Sequence, residues 1–289
     1  MLFAEYAARW RESLRGIATA EDYGAVVEAG QTYPLLSAAG GAAGGPVVVV
    51  TAGFHGDEKA GPLTLLDRAG ALFDYARERG VALRLYPCLN PSGFQAHTRY
   101  NVSGERPNND FLRYELAPGE WRGELREDET PLRWKAYDGG PKETVAIARE
   151  LARHAEPAAA LDLHQDNFIH GHIFYSYVFG DRAPYRPLQA RCGALLPVLR
   201  SCLVDSGYEP GSDVRADAEG FVETHDGSIT DRFHRAGVRY TAAIETTTDT
   251  PREIADEINL IWIRGFVDLV ARGEGPRASG LGPRGGSSL

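Results

Sequence analysis

The chain has 289 residues, of which 43% are apolar and 25% charged, and a formal net charge of −9. This length suffices for one large α/β domain or two small ones with a sizeable core. The acidic balance, without any basic patch, argues against a nucleic-acid partner. No run of about 18 apolar residues and no secretory leader is visible, so we expect no membrane association. Three scattered cysteines favour a reducing, cytoplasmic location.

Helical and strand patterns alternate along the chain. Amphipathic spacing predicts a first helix over residues 2–14, and a short strand is predicted over 33–37. Four consecutive valines at 47–50 follow a glycine-rich turn and predict a strand buried on both faces, because β-branched side chains suit a pleated surface. Later helices are predicted at 59–79, 142–154, 187–203 and 251–272, and later strands at 81–89, 157–163 and 238–244.

Two long stretches, residues 94–140 and 207–230, lack periodicity and are predicted to be loops. A long insertion of this kind in a compact domain is typical of an active-site wall. Residues 273–289 are rich in Gly, Ser and Pro, cannot bury enough apolar surface to fold, and are predicted to be a flexible tail. We therefore expect one α/β domain over residues 1–272, with a mostly parallel or mixed central sheet and helices on both faces.

The turn after the valine strand carries the first chemical signal. His55 and Glu58 are three residues apart where a helix begins, so their side chains point to the same side. Sites in parallel sheets form at the carboxyl ends of strands, and Asn90, His164 and Glu245 also follow predicted strands. Polar residues at four separate strand ends indicate one shared site.

These residue types suit zinc-dependent hydrolysis. Such a site needs three protein ligands, a base for the attacking water and a cation for the developing oxyanion. His55, Glu58 and His164 supply the ligands for one zinc per chain, although the same donors also suit Fe, Co or Mn. Glu245 is the candidate general base and acid, and Arg99 is the candidate cation.

Less specific explanations exist for several of these residues. His164 alone fits a buried histidine satisfied by the backbone, and Glu245 alone fits a cap for the following segment. Asp57, Asp162 and Asp166 either orient the imidazoles or are solvated or capping acids.

Other motifs carry less weight. His170 and His172 resemble a metal pair, but alternate residues of a strand share a face for ordinary reasons, and we interpret them as pocket wall. The sequence has no Gly-x-Ser-x-Gly elbow, which argues against serine chemistry. A phosphate-binding loop is also missing, which argues against nucleotide chemistry.

Four motifs, in this order, resemble those of the zinc carboxypeptidase family and the related succinylglutamate desuccinylase and aspartoacylase group. The first is His-x-x-Glu at residues 55–58, and the second runs from Asn-Pro-Ser-Gly through the Arg-Tyr-Asn segment over residues 90–111. The third is Asp-Leu-His at 162–164, and the fourth is Gly-Ser-Ile at 227–229 followed by a strand and a glutamate. The resemblance spans about residues 47–270.

The resemblance implies a zinc-exopeptidase, carboxypeptidase-like α/β/α fold and hydrolysis of amide bonds. It assigns the zinc ligands to His55, Glu58 and His164. Polarisation of the scissile carbonyl would fall to Arg99, and proton transfer to Glu245.

Departures from the family pattern bear on the substrate. Asn108 and Asn109 occupy the family's Asn-Arg position, where the arginine binds a substrate carboxylate. A neutral amide cannot provide that charged, bidentate clamp. The tyrosine expected before Gly-Ser-Ile is also missing, with Phe221 in that neighbourhood. Arg106 or Arg113 is a candidate for supplying the lost charge from a nearby loop.

The leading hypothesis is a zinc-dependent amide hydrolase that acts on a peptide or a small N-acylated amino compound. A deacylase of N-acyl amino acids is the alternative within enzymes. Outside enzymes, the alternative is a binding protein that kept the metal site and lost turnover, although such a protein would need neither Glu245 nor Arg99. The sequence leaves the oligomeric state open.

Overall fold

The computed structural model describes residues 1–126, 128–205 and 213–273, so the predicted tail beyond Gly273 lies outside the described residues. The helices are α1 (Phe3–Ser13), α2 (Ala60–Glu78), α3 (Pro91–Ala96), α4 (Lys142–Leu151), α5 (Arg186–Gly193), α6 (Ile229–Arg235) and α7 (Arg252–Ala271). The strands are β1 (Thr19–Glu28), β2 (Gln31–Gly41), β3 (Val47–Ala52), β4 (Ala82–Tyr86), β5 (Leu112–Ala117), β6 (Glu120–Arg122), β7 (Arg133–Ala136), β8 (Ala159–Asp166), β9 (Phe174–Val178), β10 (Leu203–Asp205), β11 (Val214–Arg215), β12 (Phe221–Val222) and β13 (Tyr240–Thr247).

An eight-stranded mixed sheet with the order β1-β2-β4-β3-β8-β13-β9-β12 forms the centre of the fold. The four adjacent strands β4, β3, β8 and β13 all run parallel, and antiparallel pairs flank them on both sides. The carboxyl ends of these central strands therefore meet at one edge, which is where ligands bind in open α/β sheets.

The valine strand shows how helices cover both faces of the sheet. Val48 and Val50 pack into the core built with α1, α2, α5 and α7, whereas Val49 packs into the core built with α4 and α6. Side chains alternate between faces along a strand, so an all-apolar strand of this kind requires cover on both sides. The predicted α/β class with helices on both faces is confirmed.

The same alternation places the polar side chains of β8. Leu161 and Leu163 belong to the core on the α2 and α7 face, and Ala160 belongs to the core on the α4 and α6 face. Asp162 and His164 are two and four residues after Ala160, so they share its face of the sheet. In register, His164 lies beside Glu245 of the parallel strand β13.

The prediction of a loop over residues 94–140 is wrong. The segment contains the end of α3 and a separate three-stranded antiparallel sheet with the order β6-β5-β7. Strand β7 is exposed along its whole length, so it has no buried face to impose an apolar alternation on the sequence. The segment is nevertheless an insertion between β4 and α4.

Other differences affect short or exposed elements. Strand β1 was not predicted because its edge position leaves most of its side chains solvent-accessible, which removes the apolar alternation. The helix predicted over 187–203 is only α5, which stops at Gly193 shortly before Pro197. The loop predicted over 207–230 contains β11, β12 and the start of α6, and residues 206–212 lie outside the described residues.

No helix in the described part of the chain is both long enough and apolar enough to span a bilayer.

Gly56 tests the packing of the turn after β3. A Cβ at this position would lie 1.9 Å from the carbonyl carbon of Gly93 and 2.2 Å from the nitrogen of Phe94, which are backbone atoms of α3. We expect Gly56→Ala to lower the free energy of unfolding by about 2 kcal/mol or more, because α3 has to move. Denaturant unfolding would measure this loss.

Gly24→Ala is the matched control, since its Cβ would meet only the Leu35 side chain at 3.7 Å. Equal stability of the two variants would contradict the tight packing of Gly56 against α3.

Candidate metal centre

The turn between β3 and α2 positions His55 and Glu58. Gly53 begins it with a φ of +71°, a left-handed conformation that favours glycine. Asn90 caps the N-terminus of α3 by accepting from the Gly93 N–H, and its Nδ2 donates to the Phe54 carbonyl at 3.1 Å. The same amide lies 3.3 Å from the Arg99 carbonyl, so Asn90 connects the His55 turn to the segment that carries Arg99.

The Glu58 carboxylate is the meeting point of the site. Oε1 lies 2.6 Å from His55 Nδ1 and accepts from Arg99 Nη1 at 2.8 Å. Oε2 lies 2.8 Å from His164 Nδ1 and accepts from the Gln165 backbone N–H at 3.0 Å. Burial opposes ionisation of this carboxyl, but the two imidazoles outweigh it and hold the pKa of Glu58 far below its usual range.

His164 lies inside β8 rather than after it, because the pairing of β8 with β13 continues to Asp166 and Thr247. Its Nε2 lies 2.7 Å from Oδ2 of Asp162, whose other oxygen accepts from Thr51 Oγ1 at 2.8 Å. Burial disfavours the imidazolium, but Asp162 and Glu58 together raise the pKa of His164 well above its usual value. For His55, burial dominates and lowers the pKa.

Glu245 completes the group from the neighbouring strand. It is also inside its strand, beside His164 on one side and Tyr175 on the other. Its Oε2 is buried and has no hydrogen-bond partner among the described residues, so it does not cap the following segment. Burial raises the pKa of Glu245 well above its usual value. A buried acceptor with no bonding partner is costly in a stable structure and is typical of a group kept for chemistry.

The donor set fits a divalent metal. Donor atoms of His55, Glu58 and His164 all lie within 4.8 Å of one another, and all three residues are buried. Two imidazole nitrogens and one carboxylate are the ligands of a catalytic zinc with a fourth position left open. Asp162 on Nε2 leaves Nδ1 of His164 as its ligand atom, and a carboxylate in that role raises the basicity of the ligating ring.

The fold places the three candidate substrate-binding residues in different environments. Asn108 is buried and adopts a φ of +103°, with its Nδ2 3.3 Å from His164 Nε2 and its Oδ1 accepting from the Ile229 N–H at 3.1 Å. Its side chain therefore connects β8 to the Gly-Ser-Ile segment. Asn109 beside it is half-buried, and Arg106 is exposed with its guanidinium over the Tyr100 ring.

Arg113 does not replace the missing arginine charge. Its Nη2 lies 2.5 Å from Asp110, and its guanidinium stacks 3.8 Å from the centre of the Tyr137 ring. A guanidinium already paired with a carboxylate and packed on an aromatic face is not available to clamp a substrate carboxylate.

Of the three acids considered as partners for the ligand imidazoles, only one contacts an imidazole. Asp162 contacts a ligand imidazole, whereas Asp166 accepts from the Phe168 N–H and the Tyr175 hydroxyl, and Asp57 accepts from Asn167 Nδ2. His170 and His172 are both exposed in the segment before β9, and His170 Nδ1 lies 3.6 Å from Asp249. Their interpretation as pocket wall stays a prediction.

Two residues near the site were not singled out from the sequence. The Phe168 ring is 68% exposed and lies 5.0 Å from the Arg99 guanidinium. Gln165 presents its backbone N–H to Glu58, and its side-chain Oε1 accepts from the Ala60 N–H at the start of α2. For Phe168 the only signal in the sequence is an aromatic residue directly after Asp-Asn. Nothing in the sequence indicates the contacts of Gln165.

The comparisons with known proteins support a carboxypeptidase fold. No known family profile matches the chain. A protein assigned as a metallopeptidase from Shewanella baltica superposes with a TM-score of 0.65 at 23% identity, covering 92% of both chains. Bovine thrombin-activatable fibrinolysis inhibitor, in complex with tick carboxypeptidase inhibitor, gives 0.63 at 14% identity, covering 94% of this chain and 97% of that chain.

One sequence relative points the same way. Over 120 residues the chain is 29% identical to murein peptide amidase A of Escherichia coli K12, which covers 40% of this chain and 48% of the amidase. The chain thus spans about half the length of the curated relatives it matches. The resemblance to metallocarboxypeptidases expected from the motifs is thus confirmed, and the fold is that of carboxypeptidases.

Asp162→Asn tests the contact with the ligand imidazole. Asparagine either accepts from Nε2 through a neutral and weaker Oδ1, which lowers the basicity of the ligating ring, or presents Nδ2, which moves the ring proton to Nδ1 and blocks it as a ligand. We expect zinc affinity to fall by about 10-fold to 100-fold, measured by competition with a chromogenic chelator. Asp74→Asn, at an exposed ion pair with Arg77, is the control. Unchanged affinity in Asp162→Asn would exclude the orienting role.

Proposed function

We propose that this protein is a zinc-dependent hydrolase of amide bonds, similar to metallocarboxypeptidases, that acts on a peptide or a small N-acylated amino compound. The observation that carries the proposal is the unbonded, buried Oε2 of Glu245 beside the cluster of His55, Glu58 and His164. The fold and the partial likeness to a peptide amidase support it.

The metal ligands and Glu245 have separate roles in the proposed reaction. Zinc held by the three ligands would supply a Lewis acid and lower the pKa of an attacking water. Glu245 takes a proton from the attacking water and returns it to the leaving amine nitrogen, and its Oε2, which has no hydrogen-bond partner among the described residues, is available to hold the proton between these steps.

Arg99 serves the carbonyl oxygen. One of its guanidinium nitrogens donates to Glu58, which fixes the side chain, and its other N–H groups are available for the charge that develops on the substrate oxygen. Its side chain is 24% exposed, so it faces the opening of the site rather than the core.

Two alternatives lead to different results. A deacylase of N-acyl amino acids would use the same groups on a smaller substrate. Asn109 in place of the family's arginine does not separate the two, because an N-acyl amino acid carries the same free carboxylate beside the scissile amide as a C-terminal residue. A metal-binding relative without turnover would have no use for the isolated carboxylate of Glu245. Cytoplasmic location remains a prediction.

Glu245→Gln separates catalysis from metal binding. The amide cannot accept the proton, so we expect kcat to fall by about 100-fold to 10,000-fold while one zinc per chain is retained. The measurement is mass-spectrometric detection of released amine from free and blocked peptides and from N-acyl amino acids, with zinc content measured in parallel. Equal turnover by the variant would exclude Glu245 as the base. A wild type that binds zinc and hydrolyses nothing would favour the relative without turnover.

Metal removal tests the zinc assignment. Dialysis against a chelator should abolish hydrolysis, because the ligands alone cannot activate water, and added Zn²⁺ should restore it. Activity that survives with less than one metal per ten chains would contradict metal dependence. Restoration by Mn²⁺, Co²⁺ or Fe²⁺ but not Zn²⁺ would correct the identity of the ion.

A further inference from the structure

A cavity of about 390 Å³ lies at the carboxyl ends of β3, β8 and β13, the same end of the central sheet as the metal centre. Its wall is made partly of immediate chain neighbours of the site residues. Asp57 and Lys59 flank Glu58, Gln165 follows His164, and His97 is two residues before Arg99. The cavity and the metal centre therefore share three chain segments, the turn after β3, the end of β8 and the segment before Arg99.

Lys59 gives the cavity a positive charge that no acid neutralises directly. The residue is half-buried at the start of α2, and its Nζ lies 4.7 Å from the centre of the Phe94 ring. Among the described residues no carboxylate forms an ion pair with it. Lys142, by contrast, has its Nζ 2.7 Å from Glu28. A partly desolvated ammonium without an anion is suited to receive one from a ligand.

The other charged groups of the wall differ in how they are paired. Arg252 meets Asp256 at 2.6 Å and Asp67 at 3.1 Å. Asp57, the one acid among the described lining residues, accepts from Asn167 Nδ2 at 2.7 Å through Oδ2, and its Oδ1 is buried without a hydrogen-bond partner among the described residues. Lys59 is thus the cation of the lysine and arginine pair on this wall that has no ion-pair partner in the described part of the chain.

The cavity offers a place for a charge that the metal centre itself cannot bind. Asn109 provides no cation at the position where the family binds a carboxylate, and Arg113 is paired elsewhere. We propose that this cavity binds a carboxylate of the substrate and that Lys59 is the specificity-determining residue. The inference rests on the proposed amide hydrolysis and adds the class of substrate, an amide that carries a carboxylate away from the scissile bond.

Peptide pairs test the selectivity. Each pair carries Glu or Gln at one position, and the position is moved along both sides of the scissile bond. At one position we expect the wild type to prefer Glu by tenfold or more in kcat/KM, and Lys59→Gln to reduce that ratio to about one. The change should lie in KM, because Lys59 does not touch the reacting atoms. Misfolding would affect both members of a pair and cancel in the ratio.

Two further variants test whether the charge of Lys59 itself determines the selectivity. Lys59→Glu should reverse the selectivity, so that a Lys peptide is preferred over its Glu partner. Lys135→Gln makes the same chemical change on the exposed strand β7 and should keep the wild-type ratio. A wild-type ratio near one at every position, or a Lys59→Gln variant that keeps the wild-type ratio, would overturn the inference.

Equilibrium binding separates this inference from the proposed hydrolysis. Calorimetry of the zinc-loaded protein with succinate, glutarate and adipate, against butyrate, requires no turnover. At least one dicarboxylate should bind tenfold or more tightly than butyrate to the wild type, and Lys59→Gln should lose that difference. If the wild type prefers a dicarboxylate, Lys59→Gln loses that preference and neither protein hydrolyses any amide, the carboxylate site stands and the proposed hydrolysis is wrong. If the wild type hydrolyses amides but binds no dicarboxylate more tightly than butyrate, the hydrolysis stands and the carboxylate site is wrong.

Discussion

The buried carboxylate of Glu58 is the interaction on which the site depends. An isolated anion inside a protein is strongly unfavourable, and Glu58 is stable there because Arg99 Nη1 and the Gln165 N–H donate to its oxygens while the imidazoles of His55 and His164 lie against them. These groups come from the β3 turn, the Arg99 segment and β8, so one side chain fixes three separated parts of the chain. The geometry needed for chemistry is thus established by the packing of the protein itself.

Backbone contact beneath the turn makes this convergence possible. Gly56 lies so close to the backbone of Gly93 and Phe94 that it has no room for a side chain, and the Gly56 N–H donates to the Arg99 carbonyl at 3.2 Å. Asn90 contacts the same carbonyl from the other side. The His-x-x-Glu and Asn-Pro-Ser-Gly motifs are therefore one physical unit, in which α3 supports the turn that presents the ligands.

The sequence predicted those parts of the molecule whose burial imposes a period or whose chemistry is local. The valine strand, α2 and α7 have strong apolar patterns, and the spacing of the motifs predicted that His55, Glu58 and His164 lie together. The sequence did not predict the sheet β6-β5-β7, because strand β7 is exposed and has no apolar face. The bond from Asn108 to the Ile229 N–H joins residues 121 positions apart, and no local pattern encodes such a contact.

The pairing of β8 with β13 also restricts how this chain can change over evolution. His164 and Glu245 face the site from adjacent parallel strands that are roughly 4.8 Å apart, and hydrogen bonds fix their register along five preceding residue pairs. One residue inserted or deleted between Tyr240 and Ile244 would move Glu245 to the opposite face of the sheet and bring Ile244 or Thr246 to the site in its place. Length variation in descendants of this chain should therefore accumulate in the turns and be nearly missing from these two strands, even where their apolar residues exchange freely.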